Sequence, residues 1–461
     1  VLGPQDRQAA QLLDGLVWRM MTANSRSRHW PREKVERPGM TSESGSAPAR
    51  AINPLSAIAI AVVATLGALY IVSMFLRNSV GVIAPNLAAE MGLSPIQIGL
   101  LSSIYFFCFA SMQLPLGIAL DRFGPKRCML VSLAVTIMGC AVFAVAHDAS
   151  GLVAGRALLG FGTACFLMAP VALYARWFPP ERFSTFAGIQ LGIGSLGAIF
   201  ATAPLAFATA SYGWRAAFLG VGICAAIVGL LIWLIVSDDP PGTHRPRRNE
   251  TLRESIAGTW QVIRTPSIGR VFMVQLTSYP TYVLVIGLWG GPYLTHIYGY
   301  DLQARGNVLL VAALTQVLGS FFWGPSDRLF GRYKLPVMIG TTTCFVSLVV
   351  LAVFGRLPVP LLLVILVMIG FSTGMTSVVM SHGRSLVPPH LLGRTITLLN
   401  IGTMGGGFLV QFVSGSIINL FPTADGAYPL EAYRLVFGLQ AGLVLIGFLI
   451  YLGSKDSYLR R

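Results

Sequence analysis

Two stretches of this chain are versions of one phrase: Gly117-Ile-Ala-Leu-Asp121-Arg122-Phe-Gly124-Pro-Lys126-Arg127 and Gly324-Pro-Ser-Asp327-Arg328-Leu-Phe-Gly331-Arg332-Tyr-Lys334. The glycines stand seven apart in both, and the aspartate shifts by one position. Each phrase follows a long apolar run and precedes another. An internal duplication of this kind, at matching places in two halves, marks repeated membrane bundles.

Working outward, apolar segments of spanning length recur along the chain. The approximate spans are 56–83, 96–118, 128–146, 152–174, 184–208, 216–236, 271–294, 307–325, 335–354, 359–380, 395–419 and 434–452. The phrases fall after spans 2 and 8. Between spans 6 and 7 lies the longest polar interval, 237–270, with a basic cluster at Arg245, Arg247 and Arg248. The expected organisation is a disordered tail at 1–54, a six-helix bundle at 55–236, a linker at 237–270 and a second six-helix bundle at 271–461. Met40 could be a natural start, so residues 1–39 carry no functional weight. No apolar run follows the basic residues of the tail, so no signal peptide is expected there.

Composition agrees. Apolar residues make up 54% of the 461 and charged ones 11%. Soluble proteins carry about 25% charged residues, so a water-facing surface cannot be built here, and disorder needs far lower hydrophobicity. The net charge of +15 would point to nucleic acid in a soluble domain. Its distribution says otherwise. With the N-terminus inside, 27 of the 33 Lys and Arg fall in inside segments, 4 in outside loops and 2, Arg77 and Arg156, within spans. Basic residues collect on the cytoplasmic side, so both termini and the linker are expected there, in a plasma (inner) membrane. The six cysteines stand singly, without metal-ligand spacing.

The two phrases resemble the signature cytoplasmic loop of the major facilitator superfamily, roughly G-x-x-x-D-R-x-G-R-R. A second family pattern, R-x-x-x-G-x-G in the fourth helix, matches Arg156, Gly160 and Gly162. Arg176-Trp177-Phe178-Pro179 and Gly213-Trp214-Arg215 are also common in prokaryotic members. The resemblance covers the chain from about residue 55 to its end. It implies an all-α integral membrane fold of twelve helices in two pseudo-repeated bundles around a central cavity. It also implies alternating access, and a conformational latch formed by Gly117, Asp121, Arg122, Gly124, Arg127, Gly324, Asp327, Arg328 and Gly331. The adjacent Gly-Pro of the antiporter branch is absent from span 5. That span instead reads Gly192-Ile-Gly194-Ser-Leu-Gly197, which lacks the preceding strand of a dinucleotide site and suits close helix packing.

No carboxylate lies mid-membrane to carry a proton, and no metal site, cofactor site or catalytic constellation appears, so an enzyme is not expected. The intramembrane charge is positive. Arg77 sits in the outer half of span 1, where a charge costs about 2.5–3.5 kcal/mol on insertion scales. Tyr70, Ser73 and Arg77 share one helix face. The stretch around Arg77 resembles the first helix of organic-anion members, where an arginine contacts the substrate. The competing reading is that Arg77 snorkels to the interface or caps a neighbouring helix. Arg156 either tunes coupling or, more simply, bonds carbonyls and serves structure. Tyr279, Tyr282 and Trp289 in span 7, Asn400 and Gln411 in span 11, and Gln113 and Gln316 in spans 2 and 8 are further substrate-binding candidates. Each has interhelical bonding as its alternative.

The resulting expectation is a monomeric secondary transporter of a small organic anion, monocarboxylate-like, with a coupling ion in play and the lipid bilayer as its medium. Export of hydrophobic or drug-like compounds is the alternative. A non-transporting membrane sensor is the alternative of another class, and the 34-residue linker is too short for the folded domain that it needs.

Overall fold

Lipid offers backbone groups no hydrogen-bond partners, so a chain this apolar satisfies them within helices. The computed structural model describes residues 57–178, 180–239, 252–388, 391–423 and 427–456. The expected tail at 1–54 and the Arg245–Arg248 cluster lie outside the described residues.

Span 1 is two helices, α1 (Ala57–Asn78) and α2 (Val80–Met91), broken at Ser79. Span 2 is α3 (Pro95–Ser111) and α4 (Gln113–Phe123), bent by 46° at Met112. Ser94 and Gln97 form a capping box that starts α3. Span 3 is α5 (Pro125–Val145), and span 4 is α6 (Ala149–Thr163) followed by α7 (Cys165–Trp177). Helix α8 (Pro180–Phe200) opens span 5. Helix α9 (Ala203–Ile235) contains the end of span 5 and all of span 6. Gly213 divides it, at φ 81° and ψ 156°, a conformation that glycine adopts without strain.

The second half begins with a helix inside the linker, α10 (Leu252–Ile263). Span 7 joins α11 (Ile268–Leu284) and α12 (Gly290–Tyr298) through a π-helical turn at Val285–Trp289. Span 8 is α13 (Leu302–Trp323), followed by the short α14 (Ser326–Phe330), and span 9 is α15 (Lys334–Phe354). Span 10 is α16 (Val359–Thr373) with α17 (Thr376–Ser385); spans 11 and 12 are α18 (Leu392–Ile418) and α19 (Leu430–Leu452).

Each of the twelve expected segments is therefore helical. By length and composition, ten of the helices in the described residues suffice to cross a membrane, or eleven with the bent pair of span 2. The difference from twelve arises at span 5, whose apolar helix Thr185–Phe200 is shorter than a full crossing. Large apolar side chains lie exposed along spans 3, 6, 9 and 12, including Val131, Met138, Ile223, Leu230, Val346, Val353, Ile446 and Leu449. Span 8 exposes Leu318 and Phe321 as well.

The duplication is visible in bonds as well as in letters. At the start of span 3, the Lys126 backbone N–H donates to Asp238 Oδ1 (2.7 Å), and Lys126 Nζ to the Trp233 carbonyl (2.7 Å). At the start of span 9, the Lys334 N–H donates to Asp456 Oδ1 (3.2 Å), and Nζ to the Leu452 carbonyl. The same lysine thus ties the third helix of each half to the end of its sixth.

Glycines set the interhelical spacing. A Cβ on Gly160 would lie 2.4 Å from the Tyr105 carbonyl, and one on Gly162 2.3 Å from Thr136 Oγ1. A Cβ on Gly194 would overlap the Tyr70 ring, and one on Gly197 would reach the Ile71 carbonyl at 2.1 Å. The glycines of spans 4 and 5 are contact surfaces between helices.

Candidate functional site

Span 1 breaks one residue after Asn78, and the break defines the site. Ser79 has helical φ/ψ but ends the regular run, and its Oγ turns back to the Leu76 carbonyl (3.1 Å). The same carbonyl accepts from Arg156 Nη1 at 2.6 Å. Arg156 is fully buried. Its Nε donates to the Leu101 carbonyl (3.3 Å), and its guanidinium lies 4.6 Å from the Tyr105 ring centre. Arg156 therefore joins spans 1, 2 and 4 beside the break.

Arg77 is only 6% exposed. Its Nη1 donates to Tyr279 Oη on span 7 (3.4 Å), which places it where the two halves meet. Its guanidinium lies 4.9 Å from the Phe109 ring centre. Tyr279, Tyr105 and Tyr70 surround it within electrostatic reach. Among the described residues, Arg77 has no acidic partner. Its Nε is buried without a hydrogen-bond partner, as are Ser73 Oγ, Asn78 Oδ1, Ser278 Oγ and Tyr282 Oη. Buried polar atoms in folded proteins are nearly all satisfied, so the unmatched Arg77 Nε marks a candidate binding group; Arg156 Nη2 and Gln411 Oε1 are unmatched as well.

The described carboxylates, Glu90, Asp121, Asp148, Asp238, Asp239, Glu254, Asp301, Asp327, Glu431 and Asp456, all lie in loops or near helix ends. Outside the membrane, Glu90 is held below the usual carboxylate range by the Trp214 Nε1–H and by Arg215.

The other candidates fall into separate places. Tyr70 and Tyr279 lie within electrostatic reach of Arg77, Tyr282 within that of Tyr279, and Ser73 stands one turn before Arg77 on span 1. Gln113 and Asn400 pair with each other, Asn400 Nδ2 to Gln113 Oε1 at 2.8 Å. Trp289 and Gln411 pack within the second half instead. Trp289 Nε1 donates to Ser414 Oγ (2.7 Å), and Gln411 Nε2 to the Val283 carbonyl (3.0 Å) beside the π-helical turn. Gln316 is half-buried, and its backbone carbonyl accepts from Ser320 Oγ.

In the two repeated phrases, Gly124 and Gly331 have positive φ (86° and 67°) and end short helices. Asp121 and Asp327 are half-buried, whereas Arg122 and Arg127 are exposed. The Arg328 side chain lies outside the described residues. A Cβ on Gly117 would meet nothing within 4 Å, so Gly117 is not required by packing here.

Sequence reasoning missed Tyr105, Phe109 and Arg305. Arg305, one of the four basic residues assigned to outside loops with Arg215, Arg356 and Arg434, is buried in α13 and bonds the first half. Its neighbour Gly306, which a loop does not need, was the available signal. A Cβ there would lie 2.6 Å from that of Ala206.

Similarity to known proteins follows the same lines. The chain is 30% identical over 194 residues to the nitrate/nitrite transporter NrtP of Picosynechococcus, covering 36% of each chain. It is 24% identical over 279 residues to the probable sulfoacetate transporter SauU of Cupriavidus necator, covering 57% of this chain and 64% of that protein. The chain thus aligns with between one third and two thirds of the length of these relatives. Its fold matches that of a bacterial homologue of the human lysosomal transporter Spinster, solved in an inward-facing and unoccupied conformation. The TM-score is 0.71 at 16% identity, over 86% of this chain and 96% of that one. The Major Facilitator Superfamily model matches residues 66–291 and 271–460. With its repeated halves, the chain belongs to the Major Facilitator Superfamily, as a multi-pass membrane protein.

Proposed function

We propose that this protein moves a small organic anion, monocarboxylate-like, by alternating access, with Arg77 as the countercharge. One observation carries this reading. Arg77 is a buried guanidinium at the junction of the halves, with Nε unmatched and no ion-pair partner among the described residues. A cation in a low-dielectric site attracts an anion far more strongly than it would in water. The forked guanidinium suits a planar carboxylate. Tyr70, Ser73, Tyr279 and Tyr282 add hydroxyls, and Phe109 and Tyr105 supply ring faces. Two similar proteins are named for anions, nitrate/nitrite and sulfoacetate.

In this reading the basic ends of the helices face the cytoplasm of a plasma (inner) membrane, and the protein works as a monomer. The phrases around Asp121 and Asp327 act as the conformational latch. Rocking of one half against the other exposes the site to each side in turn.

The test is a thermal-shift screen of purified protein against small organic acids, nitrate and neutral hydrophobic compounds. Ligand that binds the native state raises the melting temperature. Stabilisation by an acid, lost in Arg77→Gln, is the expected result. Stabilisation by neutral compounds alone, equal in wild type and Arg77→Gln, would replace the anion reading with that of a hydrophobic exporter.

A further inference from the structure

The ends of the helices opposite the repeated phrases meet along three seams, each pairing a span of the first half with one of the second. Spans 1 and 7 touch through backbone: a Cβ on Gly81 would lie 2.4 Å from the Ile286 carbonyl oxygen, and one on Gly291 only 1.9 Å from that of Gly81. Spans 2 and 11 touch at Gly99 and Gly415, where a Cβ on Gly99 would lie 2.9 Å from Gly415 Cα. Gly306 of span 8 rests on Ala203 and Ala206, at the turn leading into the last part of span 5. Seams of small residues fit closely but rest on dispersion alone, which gives little preference for shut over open.

At this end a further side chain links spans 1 and 7, as Arg77 and Tyr279 do nearer the break in span 1. Arg305, 3% exposed, extends from span 8 to the residues next to Gly81. Its Nε donates to the Val82 carbonyl (2.9 Å), its Nη2 to Asn86 Oδ1 and its Nη1 to Thr295 Oγ1 (3.0 Å). All five N–H donors of a guanidinium lie in one plane, so a single residue can engage two acceptors on span 1 and one on span 7. The three acceptors are neutral oxygens. An ion pair buried here would be hard to part, because separating it strands a charge. Bonds to neutral oxygens can be exchanged for water when the end opens, and they reform when it closes. A switch needs that near balance between its two states.

We propose that Arg305 is the clasp of this end. It holds the halves shut over the Gly81–Gly291 contact and releases Val82 and Asn86 when the end opens to solvent. The inference is independent of the substrate, since it concerns only which conformation the bonds favour.

The test measures the distance between nitroxide labels on cysteines placed at Ala89 and Leu420, by pulsed electron–electron resonance. Both positions are exposed at this end, on opposite halves. Cys224→Ser is the background, because Cys224 is the exposed native cysteine and the other five are buried. Gly291→Ala serves as the open reference, since its Cβ has no room against Gly81. Wild type should populate mainly the short distance. Arg305→Ala should raise the long-to-short ratio at least tenfold, and Arg305→Lys should fall between. A wild-type distribution in Arg305→Ala would overturn the proposal, as would a wild type already at the long distance. If Arg305→Ala does not purify as a monodisperse protein, Asn86→Ala and Thr295→Val remove its acceptors one at a time. Unchanged distances in both would be equally decisive against the clasp.

Discussion

Asn400 donates its amide to Gln113 across the boundary between the halves, at 2.8 Å over a sequence separation of 287 residues. Gln113 begins α4, directly after the 46° bend of span 2. Its own amide returns to the Phe109 carbonyl (3.3 Å), a group left near the bend. One side chain thus completes the backbone of its own helix and receives the other half. Removing a neutral hydrogen bond costs about 0.5–1.5 kcal/mol net. A double-mutant cycle of Gln113→Leu and Asn400→Leu, read by unfolding in detergent, should give a coupling in that range. Strict additivity would show that the contact contributes nothing to holding the halves together.

Arg77→Gln is expected to weaken the binding of an acid ligand by about 10- to 150-fold, the loss of one charge-assisted bond of about 1.5–3 kcal/mol. Arg77→Lys keeps the charge without the fork and should fall in between. Expression should hold, because an intramembrane charge is removed. Wild-type affinity in Arg77→Gln, measured by titration of the thermal shift, would assign Arg77 to structure.

Arg156 supplies hydrogen bonds to the Leu76 and Leu101 carbonyls. Arg156→Met keeps much of the volume but removes both bonds. A hydrogen bond from a charged group is worth about 1.5–3 kcal/mol, so the melting temperature should fall even without ligand. A variant that melts like wild type and loses only ligand affinity would instead place Arg156 in the binding site.

Asp121→Asn should leave ligand affinity intact while slowing turnover, because the repeated phrase lies at one end of the bundle and the charged cluster lies inside it. Uptake into proteoliposomes, compared with binding in detergent, separates the two quantities. Unaltered turnover would leave the phrase as a marker of topology only.

Orientation has a direct measurement. Leu329 and Leu420 are 75% and 77% exposed and lie at opposite ends of the spans. In Cys224→Ser, a cysteine at Leu420 should react with membrane-impermeant reagent in intact cells, and one at Leu329 only after lysis. The reverse pattern would place the basic end outside.

The chain's letters alone determined that it lives in lipid, where its helices lie, that its halves repeat and where its basic residues collect. Those properties are legible because the bilayer acts on each segment separately: a helix must be apolar over its own length, whatever it later touches. The breaks at Ser79 and in the π-helical turn carry no comparable signal, since Ser79 is helical in φ/ψ and interrupts only the regular bonding. Tertiary structure decided the partners. Trp289 donates to Ser414 and Gln411 to the Val283 carbonyl, partners that a helical projection does not name. Arg305 reads as a loop charge until span 8 meets span 1 and the Val82 carbonyl, 223 residues away, comes within 2.9 Å. A side chain's bonds depend on which surfaces approach, and in lipid that choice rests on shape and a few polar contacts. Neither the spacing of residues nor their hydropathy records it.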